Sequence, residues 1–411
     1  SSVIIMGHLS GFIGIFTLLF IAFLLSENKK NINIKTVSIG LTLQFMFAIF
    51  ILKTPFGAPI FSFLDQAITT LISFSDSGAN FLFTSYIDGV GFHPGLVNFA
   101  FKTLPTIIFF SSLVSVLYHF GVIQVIVKFI ARSMQKTMGT SGSETLSVAG
   151  NIFLGQTESP LMVRPFIDKM TKSELMAVMT GGFATVSGGV LAIYVSWLSH
   201  IPGIAGHLLA ASVMSAPAAL VIAKIIYPET AVSDTMGDLN IEIKQSHTNG
   251  MEALSTGATD GLKLAANIAA MLIAFISFVA MINFLLAFLG TSMESIFGFI
   301  FRPLAWTMGV PWHEAQMVGM LMGKKIVLTE LIAYGDLQRI IADGMISERT
   351  AIISTYALCG FSNFGSIGIQ LGGIGAMAPN RKKDLAKLVT KAMFGGALAS
   401  WLTATIAGLL I

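Results

Sequence analysis

Two short stretches of this sequence set a carboxylate beside a hydroxyl within otherwise apolar surroundings: Gly155-Gln156-Thr157-Glu158-Ser159-Pro160 and Gly323-Lys324-Lys325-Ile326-Val327-Leu328-Thr329-Glu330. Carboxylates among apolar residues need a partner or a ligand, which makes Glu158 and Glu330 the first candidates for function. Paired carboxylates are also the equipment of a glycoside hydrolase. That chemistry finds no support here, because no metal-ligand cluster lies nearby and the histidines lack a spacing such as HExxH. Simple ion pairing is the local alternative: Glu158 with Arg164 or Lys169, and Glu330 with Lys324 or Lys325. A second set of residues, Asn151, Thr185 and Ser187, carries small oxygen-bearing side chains around the first stretch. Such groups, with carbonyls freed where a helix unwinds, can coordinate a dehydrated monovalent cation. Thr185 and Ser187 have a local alternative as well, a bond to a carbonyl of their own helix.

The elements that must position these residues lie in lipid. Of 411 residues 54% are hydrophobic and 11% are charged, against about a quarter charged in soluble domains. Apolar spans near 4–26, 37–52, 98–127, 175–198, 206–227, 262–289, 350–378 and 388–411 approach the roughly 20 residues that cross a hydrocarbon core as helix. The first is too long for a signal-peptide core and no small-residue cleavage site follows it, so it is expected to stay. The single cysteine, Cys359, excludes an intrachain disulfide and a CxxC metal site. A formal charge of +3, without a basic tract interleaved with aromatics, gives no argument for nucleic acid.

Segment 53–97 holds Asp65, Asp76 and Asp88 with Lys53 and reads as a helix lying along the membrane surface. The long polar stretch 229–250 divides the chain into halves. Basic residues cluster at Lys29, Lys30 and Lys35; at Lys128, Arg132 and Lys136; at Lys169 and Lys172; and at Arg381, Lys382, Lys383 and Lys387. The positive-inside rule makes these four clusters cytoplasmic. An N-terminus outside and eight full crossings satisfy that rule if 140–170 and 305–338 each enter and leave on one face, as re-entrant hairpins. Each hairpin is followed by an interrupted span, Gly181-Gly182-Phe183-Ala184-Thr185-Val186-Ser187-Gly188-Gly189 in one half and Gly360-Phe361-Ser362-Asn363-Phe364-Gly365-Ser366 in the other. The expected fold is an all-α polytopic membrane protein with inverted repeats and a binding site at the midplane between broken helices. Non-helical backbone survives there only where protein or a watered cavity satisfies it. A carboxylate at that depth costs roughly 2.5 kcal/mol or more, so Glu158 and Glu330 each need a partner or ligand. Gly188-Gly189 and Gly372-Gly373 also suit close helix packing. Rival functions are a passive pore, a membrane-embedded enzyme built on Ser187 or Ser366, and a carrier of another polar solute.

The chain resembles the concentrative nucleoside transporter family along nearly its whole length, from Ala22-Phe23-Leu24-Leu25-Ser26 to Ala404-Thr405-Ile406-Ala407-Gly408. The most specific matches are Asn151-Ile152-Phe153-Leu154-Gly155-Gln156-Thr157-Glu158, Ala357-Leu358-Cys359-Gly360-Phe361-Ser362-Asn363 and the stretch from Gly323. The resemblance implies a homotrimer, each protomer with eight transmembrane helices, two re-entrant hairpins, a surface-lying helix, a scaffold and a moving transport domain; the compact chain with short loops points to a bacterial inner membrane. It implies a nucleobase site at Gln156, Thr157, Glu158 and Val190, and a ribose site at Glu330, Asn363 and Ser366 with Phe361 as an apolar wall. It also implies a sodium site of Asn151, the Leu154 carbonyl, Thr185 and the Val186 carbonyl. No cofactor is implied beyond sodium as coupling ion, and proton coupling is the alternative. Thr185 stands where sodium-coupled members carry serine, which keeps the hydroxyl. The second-hairpin signature Gly-x-Lys-x-x-x-Asn-Glu-Phe-x-Ala is kept at Gly323, Lys325, Glu330 and Ala333 but carries Thr329 and Leu331 in place of Asn and Phe. A changed polar partner beside the ribose bears on ribose against deoxyribose preference. The expected division is 1–135 for the N-terminal spans, surface helix and scaffold helix; 136–228 for the first repeat; 229–300 for linker, scaffold span and surface helix; and 301–411 for the second repeat.

Overall fold

The computed structural model describes residues 2–237 and 247–411. The middle of the polar linker, 238–246, lies outside the described residues. Among those described, regular structure is helical, with two isolated bridges, Thr84 with Phe92 and Ser141 with Met236. The first half runs α1 (Ser2–Leu24), α2 (Ile34–Lys53), α3 (Gly57–Phe83), α4 (Leu104–His119), α5 (Val122–Met138), α6 (Gly142–Gly150), α7 (Glu158–Leu161), α8 (Arg164–Ile167), α9 (Lys172–Ala184), α10 (Gly188–Trp197) and α11 (Ile204–Ile226). The second half runs α12 (Gly250–Ala287), α13 (Met293–Thr307), α14 (Trp312–Val327), α15 (Glu330–Ala342), α16 (Glu348–Leu358), α17 (Phe364–Met377) and α18 (Lys382–Leu410). Among the described residues, six helical stretches are long and apolar enough to cross a membrane: Ile34–Lys53, Phe99–His119, Lys172–Trp197, Ile204–Ile226, Gly250–Ala287 and Pro379–Leu410. Two shorter apolar helices, His8–Leu24 and Phe364–Met377, accompany them.

Two expected spans differ from the helices formed. The run 98–127 is not one span: Gly121 takes φ +80°, a left-handed conformation that glycine adopts without a Cβ penalty, and the helix ends at His119. The next helix, α5, is amphipathic. Ile123, Val127, Ala131, Met134 and Met138 are buried along one stripe while Arg132 and Lys136 are exposed. The span expected at 262–289 begins twelve residues earlier than its apolar run, because Asn249 caps α12 by accepting from Glu252 N at 2.9 Å. Along its 38 residues α12 buries only Ala253, Gly257, Gly261, Ala265 and Ile268, a single narrow stripe. A Cβ on Gly257 would stand 2.7 Å from Ser112 Cα, so the glycine lets α12 lie directly on α4.

The long helix α18 reveals the relation between the halves. Near its start, Arg381 donates to the carbonyls of Ile167 and Met170, just before α9 begins. At its far end, Arg349 in the first turn of α16 donates to Gly408 O at 2.6 Å. At about 1.5 Å per residue, the N-termini of α9 and α16 therefore lie roughly 40 Å apart, at opposite ends of the molecule. The two broken helices enter from opposite sides.

The basic clusters share one end. Lys172 reaches Asp384 at 3.9 Å, Lys391 pairs with Glu27 at 2.5 Å beside Lys29 and Lys30, and Thr36 Oγ1, next to Lys35, donates to Met138 O at 2.9 Å at the close of α5. At this end a buried polar network ties α6, α9 and α11 together. Lys224 Nζ meets Glu144 Oε2 at 2.5 Å and donates to Ser173 Oγ at 2.8 Å. Glu174 accepts from Ser141 Oγ at 2.6 Å and from Ser233 Oγ, so the first residues of the polar linker are stitched to the repeat they follow. Removing one partner of a buried pair strands the other charge and costs about 3–5 kcal/mol. Lys224→Ala is accordingly expected to lower the melting temperature of the detergent-purified protein strongly, with Lys224→Met/Glu144→Leu recovering most of the loss. A Lys224→Ala protein melting with wild type would show that the pair contributes nothing.

Candidate binding site

The functional candidates converge where two helices break. Between α9 and α10 the chain runs extended through Thr185, φ −129° and ψ 168°, to Ser187, φ −72° and ψ 154°. Between α16 and α17 it opens at Cys359 and turns at Gly360, φ +137°. A Cβ on Gly360 would stand 2.7 Å from Phe183 O, so both the dihedral and the close approach demand glycine. The two breaks satisfy each other. Phe361 N donates to Thr185 O at 3.2 Å, Ser362 Oγ to Phe183 O at 2.7 Å, and Ser400 Oγ of α18 to Cys359 O at 2.6 Å. Carbonyls freed by unwinding thus find donors away from water.

Glu330 opens α15, whose N-cap Thr329 accepts from Ile332 N at 3.3 Å. Threonine and asparagine are both good caps, so the helix start is preserved although the family signature has asparagine there. The Glu330 carboxylate accepts from Tyr194 OH and from Asn363 Nδ2, each at 3.0 Å. Asn363 in turn caps α17 by accepting from Ser366 N at 2.8 Å. Ser366 Oγ accepts from Gln156 Nε2 at 3.3 Å. Glu330 and Asn363 are each 4% exposed. Four of the expected substrate residues, from three separate parts of the chain, therefore form one continuous hydrogen-bonded cluster.

Neither lysine of the second hairpin pairs with Glu330. Lys324 is held by Asp336 at 2.7 Å and Glu294 at 3.0 Å. The fully buried Lys325 donates to Ala357 O at 3.0 Å, close to the end of α16. Glu158 likewise makes no ion pair with Arg164 or Lys169 among the described residues. It lines a cavity of about 580 Å³ walled by α4, α12 and the 153–165 segment, to which Leu154, Ser187 and Asp260 also contribute. Glu330, Asn363 and Ser366 do not line that cavity, so Glu158 stands apart from the cluster. Thr157 rests against α17, where a Cβ on Gly373 would be 2.6 Å from its methyl group. Val190 is buried in α10, and Phe361 is half-buried with its backbone committed to Thr185.

Around the first break, Asn151 ends α6 and donates from Nδ2 to Ser147 O at 3.1 Å, while its fully buried Oδ1 has no hydrogen-bond partner among the described residues. An orphaned buried acceptor costs about 1–3 kcal/mol and suits a cation. Thr185 Oγ1 donates to Gly181 O at 2.9 Å, the local bond open to it from sequence. That donation leaves lone pairs on the hydroxyl oxygen. Phe153 O accepts from Gly188 N at 3.2 Å, which holds the 153–154 strip against the break. Val186 is buried there. Neutral amide, hydroxyl and carbonyl oxygens of this kind fit a monovalent cation.

Three residues of the cluster escaped the sequence reading: Tyr194, Tyr334, whose ring stacks on that of Tyr194 at 4.1 Å, and Gln370, which donates to Gln156 Oε1 at 3.2 Å. Gln370 sits in an apolar span, and the signal that singled out Glu158 and Glu330, a polar side chain at depth, is present there too.

Comparison with known proteins agrees with this geometry. The profile described as Na+ dependent nucleoside transporter C-terminus matches residues 207–408, its N-terminal counterpart matches 13–86, and the profile described as Nucleoside recognition matches 100–200. The uncharacterized transporter YutK of Bacillus subtilis is 42% identical over 414 residues, covering 99% of this chain and 100% of the relative. Sodium/nucleoside cotransporter 1 of Homo sapiens is 41% identical over 427 residues, covering 98% of this chain and 64% of the relative. The solved structure of CNTnw in an inward-facing substrate-bound state is similar with a TM-score of 0.90 at 40% identity, over 98% of this chain and 97% of that one. An outward-facing variant of CNTnw gives 0.92 at 38% identity, over 99% of each chain. Whole-length likeness in sequence and fold, with the broken-helix crossing on which the polar residues converge, means that this chain belongs to the concentrative nucleoside transporters, a family of multi-pass membrane carriers and not of enzymes.

Proposed function

We propose that the chain carries nucleosides into the cell together with a cation, sodium, by alternating access of an elevator kind. The observation that carries this reading is the cluster at the helix crossing: Gln156, Glu330, Asn363 and Ser366 bonded into one chain beside the orphaned Asn151 Oδ1. Glu330 and Asn363 present the acceptors and donors that a ribose 2′,3′-diol pairs with, and Ser366 adds a hydroxyl. Gln156 and Thr157, with Val190 and Phe361 as apolar surfaces, take the base, and Glu158, which lines the neighbouring cavity, meets it from that side. Asn151, the Leu154 carbonyl, Thr185 and the Val186 carbonyl take sodium.

The opposite entry of α9 and α16 supports two inverted repeats, 136–228 and 301–411, each a hairpin followed by a broken and a long helix. Segments 1–135 and 229–300 supply the scaffold. In the bilayer this gives eight crossings and two re-entrant hairpins, with the basic end cytoplasmic, in the inner membrane of a bacterium and in a homotrimer. Sodium binding at Asn151 replaces the missing hydrogen bond and orders the 153–158 strip, so nucleoside then binds more tightly. Linkage requires the converse. Titrating uridine into the purified protein at several sodium concentrations tests this: the apparent affinity rises at least tenfold as sodium replaces potassium. Equal affinity in both salts would remove the coupling.

A further inference from the structure

A primary amide has a donor end and an acceptor end of similar size. Which end of Gln156 meets a ligand is therefore set by its neighbours, and the deciding neighbour is Gln370 on α17, 1% exposed. Its Nε2 lies 3.1 Å from Met179 O and 3.2 Å from Gln156 Oε1. A backbone carbonyl only accepts, so the end of Gln370 that faces Met179 must be its NH2. The second hydrogen of that NH2 then calls for an acceptor, which holds Gln156 Oε1 toward Gln370. Gln156 Nε2 is left facing Ser366 Oγ at 3.3 Å, the side on which Asn363 and Glu330 stand. The backbone makes room for this contact. A Cβ on Gly182 would lie 2.6 Å from Gln370 Nε2 and 3.0 Å from Gln156 Cβ.

We propose that Gln370 is a positioning residue that locks the Gln156 amide with its N–H end toward the ligand. The chain thereby favours nucleosides whose base presents a carbonyl acceptor, as uridine does at the 4-position, over those that present an amino donor, as cytidine does. This rests on the assignment of Gln156 to the nucleobase made above. Gln370→Glu reverses the lock. The carboxyl oxygen that takes the place of Nε2 carries at most one hydrogen, which goes to Met179 O, so toward Gln156 it offers only lone pairs, as an ionised carboxylate does too. In both states the Gln156 amide turns round, with Oε1 toward the ligand and the Ser366 hydroxyl switching from acceptor to donor.

The test is uptake of labelled uridine and labelled cytidine, separately, into proteoliposomes holding wild type, Gln370→Glu or Gln370→Met. Wild type is expected to favour uridine at least tenfold in uptake efficiency, Gln370→Glu to move that ratio at least tenfold toward cytidine, and Gln370→Met to bring it within threefold of unity. A purely structural role would lower both substrates equally and leave the ratio where it was. A wild-type ratio near one, or an unchanged ratio in Gln370→Glu, overturns the proposal. Where Gln370→Glu does not fold, an unchanged ratio in Gln370→Met does the same. Wild type that takes up neither nucleoside overturns the nucleoside reading itself, a different result from either of these.

Discussion

Glu330→Ala will lower nucleoside uptake at subsaturating substrate by about two to four orders of magnitude. Hydrogen bonds to a charged group are worth about 1.5–3 kcal/mol each, and in the proposed ribose site the carboxylate holds two ribose hydroxyls, so about 3–6 kcal/mol of binding disappears. At about 1.4 kcal/mol per tenfold, that is the stated loss. The substitution also strands Tyr194 OH and Asn363 Nδ2, both of which donate to Glu330 at 3.0 Å, and a buried donor left unmade adds its own penalty. Glu330→Gln keeps the shape and one acceptor, and a smaller loss, roughly tenfold, is expected. The measurement is initial-rate uptake of labelled uridine normalised to protein in the membrane. Wild-type rates in Glu330→Ala would remove Glu330 from the ribose site.

Asn151→Leu will weaken sodium binding at least tenfold without destabilising the resting protein. Asn151 Oδ1 is buried and unpartnered, so in the absence of an ion the amide carries a cost that a leucine does not. The variant should therefore melt at or above the wild-type temperature in potassium buffer, and lose the rise that sodium gives wild type. The sodium concentration needed for half-maximal uridine uptake should increase at least tenfold, and linkage lowers uridine affinity at fixed sodium. Asn151→Asp keeps an oxygen at the same place and retains sodium dependence. A thermal-shift series in sodium against potassium reads the first effect directly. Asn151→Leu that is still stabilised by sodium as wild type is would place the ion elsewhere. A residue that costs stability when empty and gains it back with a ligand is what a binding site looks like in a fold otherwise optimised for packing.

Much of this was legible because a membrane penalises polarity and irregular backbone heavily. Glu158 and Glu330 stood out as carboxylates in apolar runs, and Gly360 and the Thr185–Ser187 break stood out where helix signals fail. The basic clusters, read as one face from charge alone, do gather at one end of the molecule. What hydropathy concealed were features governed by single residues and by tertiary contact. Gly121 ends α4 through a left-handed φ that no apolar average registers. Asn249 starts α12 well before its apolar run, because a cap needs one side chain and no hydrophobicity. The linker begins stitched to Glu174 by Ser233, a contact between residues 59 apart in sequence that composition does not encode. The local alternatives divided in the same way. Lysine partners were available to Glu330 along the chain, yet tertiary packing gave it Tyr194 and Asn363, whereas Thr185 Oγ1 does bond within its own helix. Gln370 went unread because an amide in a glycine-rich span looks like a packing residue until its partner, 214 positions away, is seen beside it.

The most direct test is labelled uridine uptake into proteoliposomes under an inward sodium gradient, with matched potassium and with an inward proton gradient as the comparisons. Accumulation of uridine above its outside concentration with sodium, and only equilibration or nothing with potassium or protons, is the expected result. Uphill uptake driven by protons alone would contradict the sodium site at Asn151 and Thr185, and no uridine uptake under any gradient would contradict the nucleoside site at Glu330 and Asn363.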